Sequence, residues 1–481
     1  MRFTKIVATI GPATCSMEHI ERLARAGIDI CRLNFSHGDY AVHGQTIRNI
    51  KAVNQTLLQE KHGSLLPLGI MLDTKGPEAR TGDVKKPIVI KKGERVLFTS
   101  KATGREKLPT ITVDYEQFAD DVKDARCILI DNGSIEFKVE SIEKNGQVIA
   151  KALEDGMIGS RRHVNLPGAY ISLPSFTEKD WRDITFGIDH DVDFFATSFV
   201  RTGKDIRMLK AFLQKHGSDG EIIAKIETPQ GVENIDEIID AADGIMVARG
   251  DLGAEVPFED VPKIQESIVA KCRAKGKPVI VATHMLESMI QSPMPTRAEV
   301  TDIAFAAKLQ TDATMLSGET TTGLYPFKAV DAMDRVLRAS ERIEPVNMVS
   351  LNGGTGEGVD IDMPRREQAL AASMLATKLQ ADAIVVISKH GFTAKAVSQC
   401  RPLIPVHAFV DGQHCQRKLM LVWGIIPHTL AFSSNPEETL DRALATLTKR
   451  KLLKKNQRIV IVSDIRSGRT PIMTVQIRTI A

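Results

Sequence analysis

The sequence predicts an α/β fold: a (β/α)8 barrel, a small β unit inserted into it, and an open α/β domain toward the C-terminal end. Three observations predict it. Short apolar, β-branched runs recur between amphipathic stretches of helical length, one interval between runs is several times longer than the rest, and a polar glycine-rich stretch follows the eighth run. Strands separated by helical crossovers pair in parallel and are buried on both faces, and eight such units close into a barrel with helices outside.

The runs occupy residues 5–10, 28–35, 68–72, 193–199, 222–226, 244–248, 278–282 and 313–316. Between the first two, Ile20, Leu23 and Ala24 share one helical face before Gly27 stops the helix. Thr177, followed by Glu178 and Asp180, reads as a helix cap with acids in the first turn. Within 77–170 the pattern changes to alternation, at 96–98, 127–130, 135–139 and 148–150. Asn132-Gly133 and Asn145-Gly146 sit between runs as hairpin turns. This predicts a small β domain placed to close as a lid, because loops after barrel strands lie over the mouth. Residues 352–358 read as a linker, since their glycines neither fit G-x-G-x-x-G nor follow a strand. Beyond them, strand-like 383–387, 404–409 and 458–462 alternate with helical segments such as 437–448, the pattern of an open α/β domain. The expected domains are 1–76 with 171–345 (barrel), 77–170 (lid) and 346–481 (C-terminal).

Lys and Arg number 63 against 60 Asp and Glu, a net charge of +3 that lacks the basic excess of a nucleic-acid binder. The basic residues at 449–451, 454 and 455 read as a helix C-terminal cap rather than a polyanion site. No apolar stretch approaches the roughly 20 residues of a membrane span. Residues 4–10 alternate into a strand at once, with no leader pattern. Six scattered cysteines without a C-x-x-C fit neither a disulfide framework nor a thiolate zinc site, so reduced thiols and a cytoplasmic location are expected.

Polar residues at the C-terminal ends of barrel strands converge on one mouth. Six strand ends carry them: Arg32 to His37, Asp73 to Lys75, Lys225 and Glu227, Arg249 to Asp251, Thr283 and His284, and Ser317 to Glu319. Lys225 and Glu227 are two apart and share a strand face, with Asp251 arriving from the next strand. A carboxylate pair with room for water and substrate oxygens suits Mg²⁺; a buried Lys-Glu-Asp salt-bridge network is the structural alternative. Arg249 is placed to orient one of the carboxylates. Asn34, Ser36, Asp73 and Thr74 offer amide, hydroxyl and carboxylate oxygens with one formal charge, which suits a weakly charged cation or a hydrogen-bonded strand-end cluster. Arg32, Arg80, Arg161 and Arg162 are suited to anionic reagents, with Arg161 also read as solvated surface charge.

At these residues the chain resembles pyruvate kinase over nearly its full length. The likeness rests on Lys5 to Pro12, Arg32 to Gly38, Leu72 to Glu78, Asn165 to Gly168, Ile223 to Glu227, Met246 to Gly253, Met285 to Ile290 and Pro295 to Glu299. The resemblance implies a β-barrel form for the lid, and transfer of a phosphoryl group from phosphoenolpyruvate to ADP, giving pyruvate and ATP, in a homotetramer. It implies Mg²⁺ or Mn²⁺ on Glu227 and Asp251, and K⁺ on Asn34, Ser36, Asp73 and Thr74, with Glu78 accompanying K⁺ dependence. Lys225 would stabilise the phosphoryl group in flight. Arg32, Gly250, Asp251 and Thr283 would contact substrate, Thr283 near the face where enolpyruvate gains its proton. Asn34, Phe35, Ser36, His37, Arg80 and Arg162 would contact the nucleotide.

The sequence departs from the family pattern at Arg162 and His163, where lysine and a small residue are common, and at His284, where glutamine is. Phe305, Leu309 and Gln310 replace the usual Asn, Asp and Gly. The loop 388–393 follows a strand and precedes a helix, which fits either a phosphorylated effector or an ordinary helix cap. A Mg²⁺-dependent lyase or aldolase and a catalytically silent metabolite sensor are the competing classes, separated by ADP-dependent release of pyruvate.

Overall fold

The computed structural model describes residues 2–59, 66–102, 107–131, 133–341, 363–467 and 470–480. The eight predicted runs form β1 (Lys5–Thr9), β2 (Ile30–Asn34) and β3 (Gly69–Asp73), then, past the insertion, five further strands. Inside the insertion lie β4 (Ile88–Ile90), β5 (Arg95–Thr99), β6 (Thr110–Thr112), β7 (Ile128–Ile130), β8 (Ile135–Ile142), β9 (Val148–Ala152), β10 (Gly156–Ile158) and β11 (Val164–Asn165). The barrel resumes with β12 (Phe194–Thr197), β13 (Glu221–Ile226), β14 (Gly244–Ala248), β15 (Val279–Ala282) and β16 (Ala313–Leu316). It closes in the order β1-β16-β15-β14-β13-β12-β3-β2, all pairs parallel.

Alternation along each strand decides which residues reach the site. Ile6, Ala8, Cys31, Leu33, Ile70, Leu72, Ala224 and Ile226 face outward and pack on the surrounding helices. Val7, Ile30, Met71, Phe194, Ala196 and Ile223 face inward and fill the barrel. The next positions on the inward face, two residues up each strand, are Thr9, Arg32, Asp73, Ser198 and Lys225. The apolar interior thus ends upward in a polar layer. Its lower end is stoppered by Met420 and Leu421 of the C-terminal domain, both buried in the same apolar cluster.

Helix ends follow the local chemistry. The helix Met17–Ala26 starts where Ser16 Oγ accepts from His19 N, and ends at Gly27 with φ 108°. Thr177 and Asp180 form a full capping box at the helix Glu178–Asp189. The helix Arg297–Lys308 runs into Gln310 at φ 57°, a left-handed position that favours glycine, so the departure there places a glutamine in a disfavoured conformation.

The inserted unit comprises a six-stranded sheet, β11-β7-β8-β9-β5-β6, and the ribbon β10-β4, around a core that includes Phe98, Tyr115, Phe118 and Phe137. Strands β4, β6, β10 and β11 are additional to the predicted set; each is two or three residues long. Asn145-Gly146 turns β8 into β9, with Gly146 at φ 78°, whereas Asn132 lies outside the described residues. So do the expected boundary at 345/346 and the 352–358 stretch.

The C-terminal sheet is β19-β18-β17-β20-β21, built from β17 (Ala383–Ile387), β18 (Val406–Val410), β19 (Ile425–Thr429), β20 (Arg458–Ser467) and β21 (Thr470–Thr479). Two apolar clusters cover its faces. Strand β21 is antiparallel to β20 while the other pairs are parallel. All six cysteines are free thiols, and among the described residues no helix is long and apolar enough to cross a membrane.

Candidate active site

The polar layer at the barrel mouth is one connected network. Lys225 Nζ lies 3.1 Å from Asp73 Oδ1, 2.9 Å from Glu227 Oε1 and 2.6 Å from Ser198 Oγ. Arg32 Nε donates to Asp73 Oδ2 at 2.6 Å and its NH1 donates to Thr9 Oγ1 at 2.9 Å. Asp73 is fully buried between the two cations. Burial raises the Asp73 pKa, but Arg32 and Lys225 outweigh it and hold the carboxyl below its ordinary range. For Lys225 the balance runs the same way: burial disfavours the ammonium, and Asp73 and Glu227 more than restore it. Lys225 therefore stays charged at the mouth.

Glu227 is held differently. Its Oε2 accepts from Phe199 N at 2.6 Å. Its Oε1 is buried and faces Lys225 Nζ at 2.9 Å, with no other partner among the described residues. Burial pushes the carboxyl well above its ordinary range, Lys225 opposes this, and the neighbouring Asp251 adds to it. Two neighbouring carboxylates that repel each other, one of them with an oxygen held only by Lys225, fit a hard divalent cation that keeps open positions for water and substrate oxygens. Asp251 opens the short helix Arg249–Glu255 directly above β14. At its other end Glu255 accepts from Asn165 Nδ2 of β11 at 2.5 Å, a bond between the inserted unit and the barrel. Burial raises Glu255 to about 7.

Asn34 and Asp73 are register partners at the tops of β2 and β3. Asn34 Oδ1 accepts from Ser36 N at 3.1 Å, and Thr74 Oγ1 accepts from Ser198 N at 3.2 Å. This oxygen-only set with one carboxylate fits a weakly charged cation. Beside it opens a cavity of about 500 Å³, lined by Arg32, Asn34 and His37 on one side and by Ile10, Pro12 and Val42 on another.

Thr283 and His284 sit at φ 68° and 55°, a strained turn that keeps the Thr283 hydroxyl at the mouth. Thr283 Oγ1 accepts from Gly250 N at 2.7 Å and donates to Ala282 O at 2.6 Å. Arg249, expected to orient a carboxylate of the site, instead pairs with Asp302 at 2.7 Å and donates to Thr283 O at 2.5 Å. It therefore braces the strained turn from below. Glu319 is an internal bracket, accepting from Leu286 N and Ser317 N.

Three expected nucleotide contacts have side chains engaged outside this network. The Phe35 ring is buried and stacked on His43 at 4.1 Å, while its N–H goes to Asp73 O and its carbonyl to Lys179 Nζ. The Phe35 ring thus packs beneath the strand end, on the outward face of the alternation. Arg80 pairs with Glu78 and donates to Arg161 O, and Arg162 pairs with the exposed Asp131. Both lie at the root of the inserted unit, where Arg80 and His163 form a bridge. Two network members, Thr9 and Ser198, were not among the sequence candidates. Both stand at strand tops, Thr9 as the last residue of β1 and Ser198 just after β12, so the same rule reaches them too.

Comparison with known proteins fits this geometry. Residues 1–330 match the family model described as "Pyruvate kinase, barrel domain", and residues 367–476 match "Pyruvate kinase, alpha/beta domain". The plastidial pyruvate kinase 2 of Arabidopsis thaliana is 42% identical over 472 residues, which cover 98% of this chain and 79% of that protein. The pyruvate kinase of Geobacillus stearothermophilus is 40% identical over 476 residues, covering 98% and 78%. The crystal structure of a pyruvate kinase from Cryptosporidium parvum superposes with a TM-score of 0.91 at 34% identity, covering 99% of this chain and 96% of that one. With a matching barrel, C-terminal domain and full-length relatives at about 40% identity, the chain belongs to the pyruvate kinase family of transferases.

Proposed function

We propose that this chain transfers the phosphoryl group of phosphoenolpyruvate to ADP, releasing pyruvate and ATP, and that the transfer depends on Mg²⁺ or Mn²⁺ and on K⁺. The observation that carries this is the cation-carboxylate network of Arg32, Asp73, Lys225 and Glu227 beside a cavity large enough for a nucleotide. In phosphoryl transfer the protein chiefly positions reagents and neutralises the charge of the group in flight. Arg32 and Lys225, both paired with Asp73, are placed to do that.

Glu227 and Asp251 would hold the divalent ion, and Asn34, Ser36, Asp73 and Thr74 the K⁺; together these ions supply positive charge to the phosphoryl oxygens. Lys225 binds the phosphoryl group while the bond between phosphorus and the enol oxygen breaks and a bond to a β-phosphate oxygen of ADP forms. The enolate left behind gains a proton at its methylene carbon to give pyruvate. Thr283, with Gly250 and Asp251, faces that carbon, its hydroxyl fixed by Gly250 N. The nucleobase lies against the apolar wall of Ile10, Pro12 and Val42, with Asn34, Ser36 and His37 toward the phosphates. Arg80 and Arg162 reach the nucleotide only by exchanging Glu78 and Asp131 for phosphate, and Phe35 supports the loop from beneath.

Residues 77–170 act as the lid, and 346–481 as a domain for assembly and for a phosphorylated effector at 388–393. In that loop Gly391 takes φ 80° and Ser388 Oγ accepts from Thr393 N. We place the enzyme in the cytoplasm as a homotetramer; light scattering of the purified chain measures the assembly. Thermal-shift titration with fructose 1,6-bisphosphate, ribose 5-phosphate and AMP tests the effector, and no response to any removes it.

The activity itself is tested by coupling pyruvate release to lactate dehydrogenase. Turnover requires ADP, a divalent cation and K⁺ together. Pyruvate released at the same rate without ADP would assign the site to a lyase instead.

A further inference from the structure

A second polar site lies far from the mouth, at the seam between the lower end of the barrel and the C-terminal domain. Arg273 and Lys277 from the barrel, and Lys395, Gln399 and Arg401 from the C-terminal domain, surround a small cavity whose single lining carboxylate is Asp312. Asp312 is fully used: both of its oxygens take Arg401, at 3.0 and 2.9 Å, and Trp423 N and Val279 N donate to them as well. Lys395 is spent on Glu221 at 2.6 Å, and Lys277 Nζ donates to Ala242 O at 2.6 Å.

Among the residues that line the cavity, what remains is an excess of positive charge with two idle donors, Asp243 and Asp240 acting on Lys277 from outside that lining. Arg401 is 6% exposed, and among the described residues neither its Nε nor that of Arg273 has an acceptor, though both atoms are buried. The Arg401 guanidinium also lies over the Trp423 ring at 5.1 Å, and its NH1 donates to Ser398 Oγ at 3.3 Å as well as to Asp312. A buried N–H without an acceptor costs about 1–3 kcal/mol, more when charged, and native interiors leave few of them. Burial lowers the Arg273 pKa to about 10 and repulsion from Arg401 adds to the shift; burial lowers Lys277 in the same way.

The cavity volume is about 10 Å³, close to the roughly 10–15 Å³ that one water-sized particle needs. That excludes nucleotides, sugar phosphates and carboxylic acids. Gly276, at φ 66°, lets the Gln399 side chain close the site from one side: a Cβ there would stand 1.3 Å from Gln399 Nε2.

We propose that this seam holds one monatomic anion, chloride in solution, accepting from Arg273 Nε and Arg401 Nε and joining the barrel to the C-terminal domain. A water could satisfy both donors but would leave the charge excess unbalanced in a buried, low-dielectric seam. The site is separate from the catalytic reading and stands or falls independently of it.

Crystals of the full chain grown in sodium bromide test occupancy directly: an anomalous bromide peak within hydrogen-bond reach of both Nε atoms is expected, and a water with no anomalous signal overturns the proposal. In solution, thermal unfolding is followed at constant ionic strength while chloride replaces gluconate, an anion too large for the cavity. The unfolding temperature rises with chloride, and in Arg273→Met the apparent chloride affinity falls by roughly tenfold or more. A folded Arg273→Met protein with the wild-type chloride response overturns it equally; should that variant fail to fold, the bromide experiment on the unaltered chain decides.

Discussion

Lys225 is useful at the mouth because of three acceptors, and one of them is the hydroxyl of Ser198 at 2.6 Å. That hydroxyl also donates to Thr74 O at 2.8 Å, so it ties the lysine to the top of β3. Replacing Ser198 with Ala removes one charge-assisted bond without removing a charge, which is worth about 1–2 kcal/mol. The expected outcome is a fall in kcat of roughly tenfold with little change in unfolding temperature, measured by the coupled assay and calorimetry. An unchanged kcat would mean that Asp73 and Glu227 suffice to hold Lys225. Residue types carry much of this site into the sequence, because Lys225 and Glu227 are two apart on one strand and Asp73 ends another. What the sequence hides is pairing. Nothing in Arg249 tells that its partner is Asp302, nor in Glu255 that its partner is Asn165, on a different folding unit, since these partners meet only once the chain is folded.

At the scale of elements, the barrel strands were legible because both of their faces are buried, so each reads as a short continuous apolar run between helices. Strand β19 escaped because Pro427 sits inside it, and proline reads as a strand breaker. It is tolerated there because β19 is an edge strand. The same strand contributes a buried pair. His428 Nδ1 lies 3.1 Å from Arg450 NH1, so it accepts, and His428 Nε2 then donates to His407 Nδ1 at 3.0 Å. Both rings are therefore neutral. Burial pushes His407 down to about 4, and burial, His407 and Arg450 push His428 well below its ordinary value. In the unfolded chain both take up protons below about pH 6.5. Their contribution to stability is therefore complete above that pH and is lost as the pH falls toward 4, by roughly 3 kcal/mol for His407 alone. Urea unfolding of the chain from pH 7 to 4.5 measures it, and a His407→Gln variant has a shallower pH dependence. Equal pH slopes in the two proteins would contradict the assignment.

Across the whole molecule, the C-terminal domain is more than an appendage, because Met420 and Leu421 complete the core of the barrel from below. The seam around them carries ion pairs between the two units: Arg401 with Asp312, Lys395 with Glu221, and Arg417 with Asp193. Leu421→Ala leaves a cavity at the barrel floor and is expected to cost about 2–5 kcal/mol, read as a lowered unfolding temperature of the barrel itself. A loss confined to the C-terminal domain would show that the two units fold independently. Interlocking of this kind was not legible in the sequence, where residues 419–421 are only a short apolar run. The order of barrel, insertion and C-terminal sheet was legible, since it follows from spacing along the chain.

The catalytic account turns on Lys225. Its most direct test is Lys225→Met, with single-turnover phosphoryl transfer measured beside phosphoenolpyruvate binding. The account predicts that transfer falls by about 10²–10³-fold or more while the donor still binds. Transfer at near wild-type rate in a folded variant would contradict it.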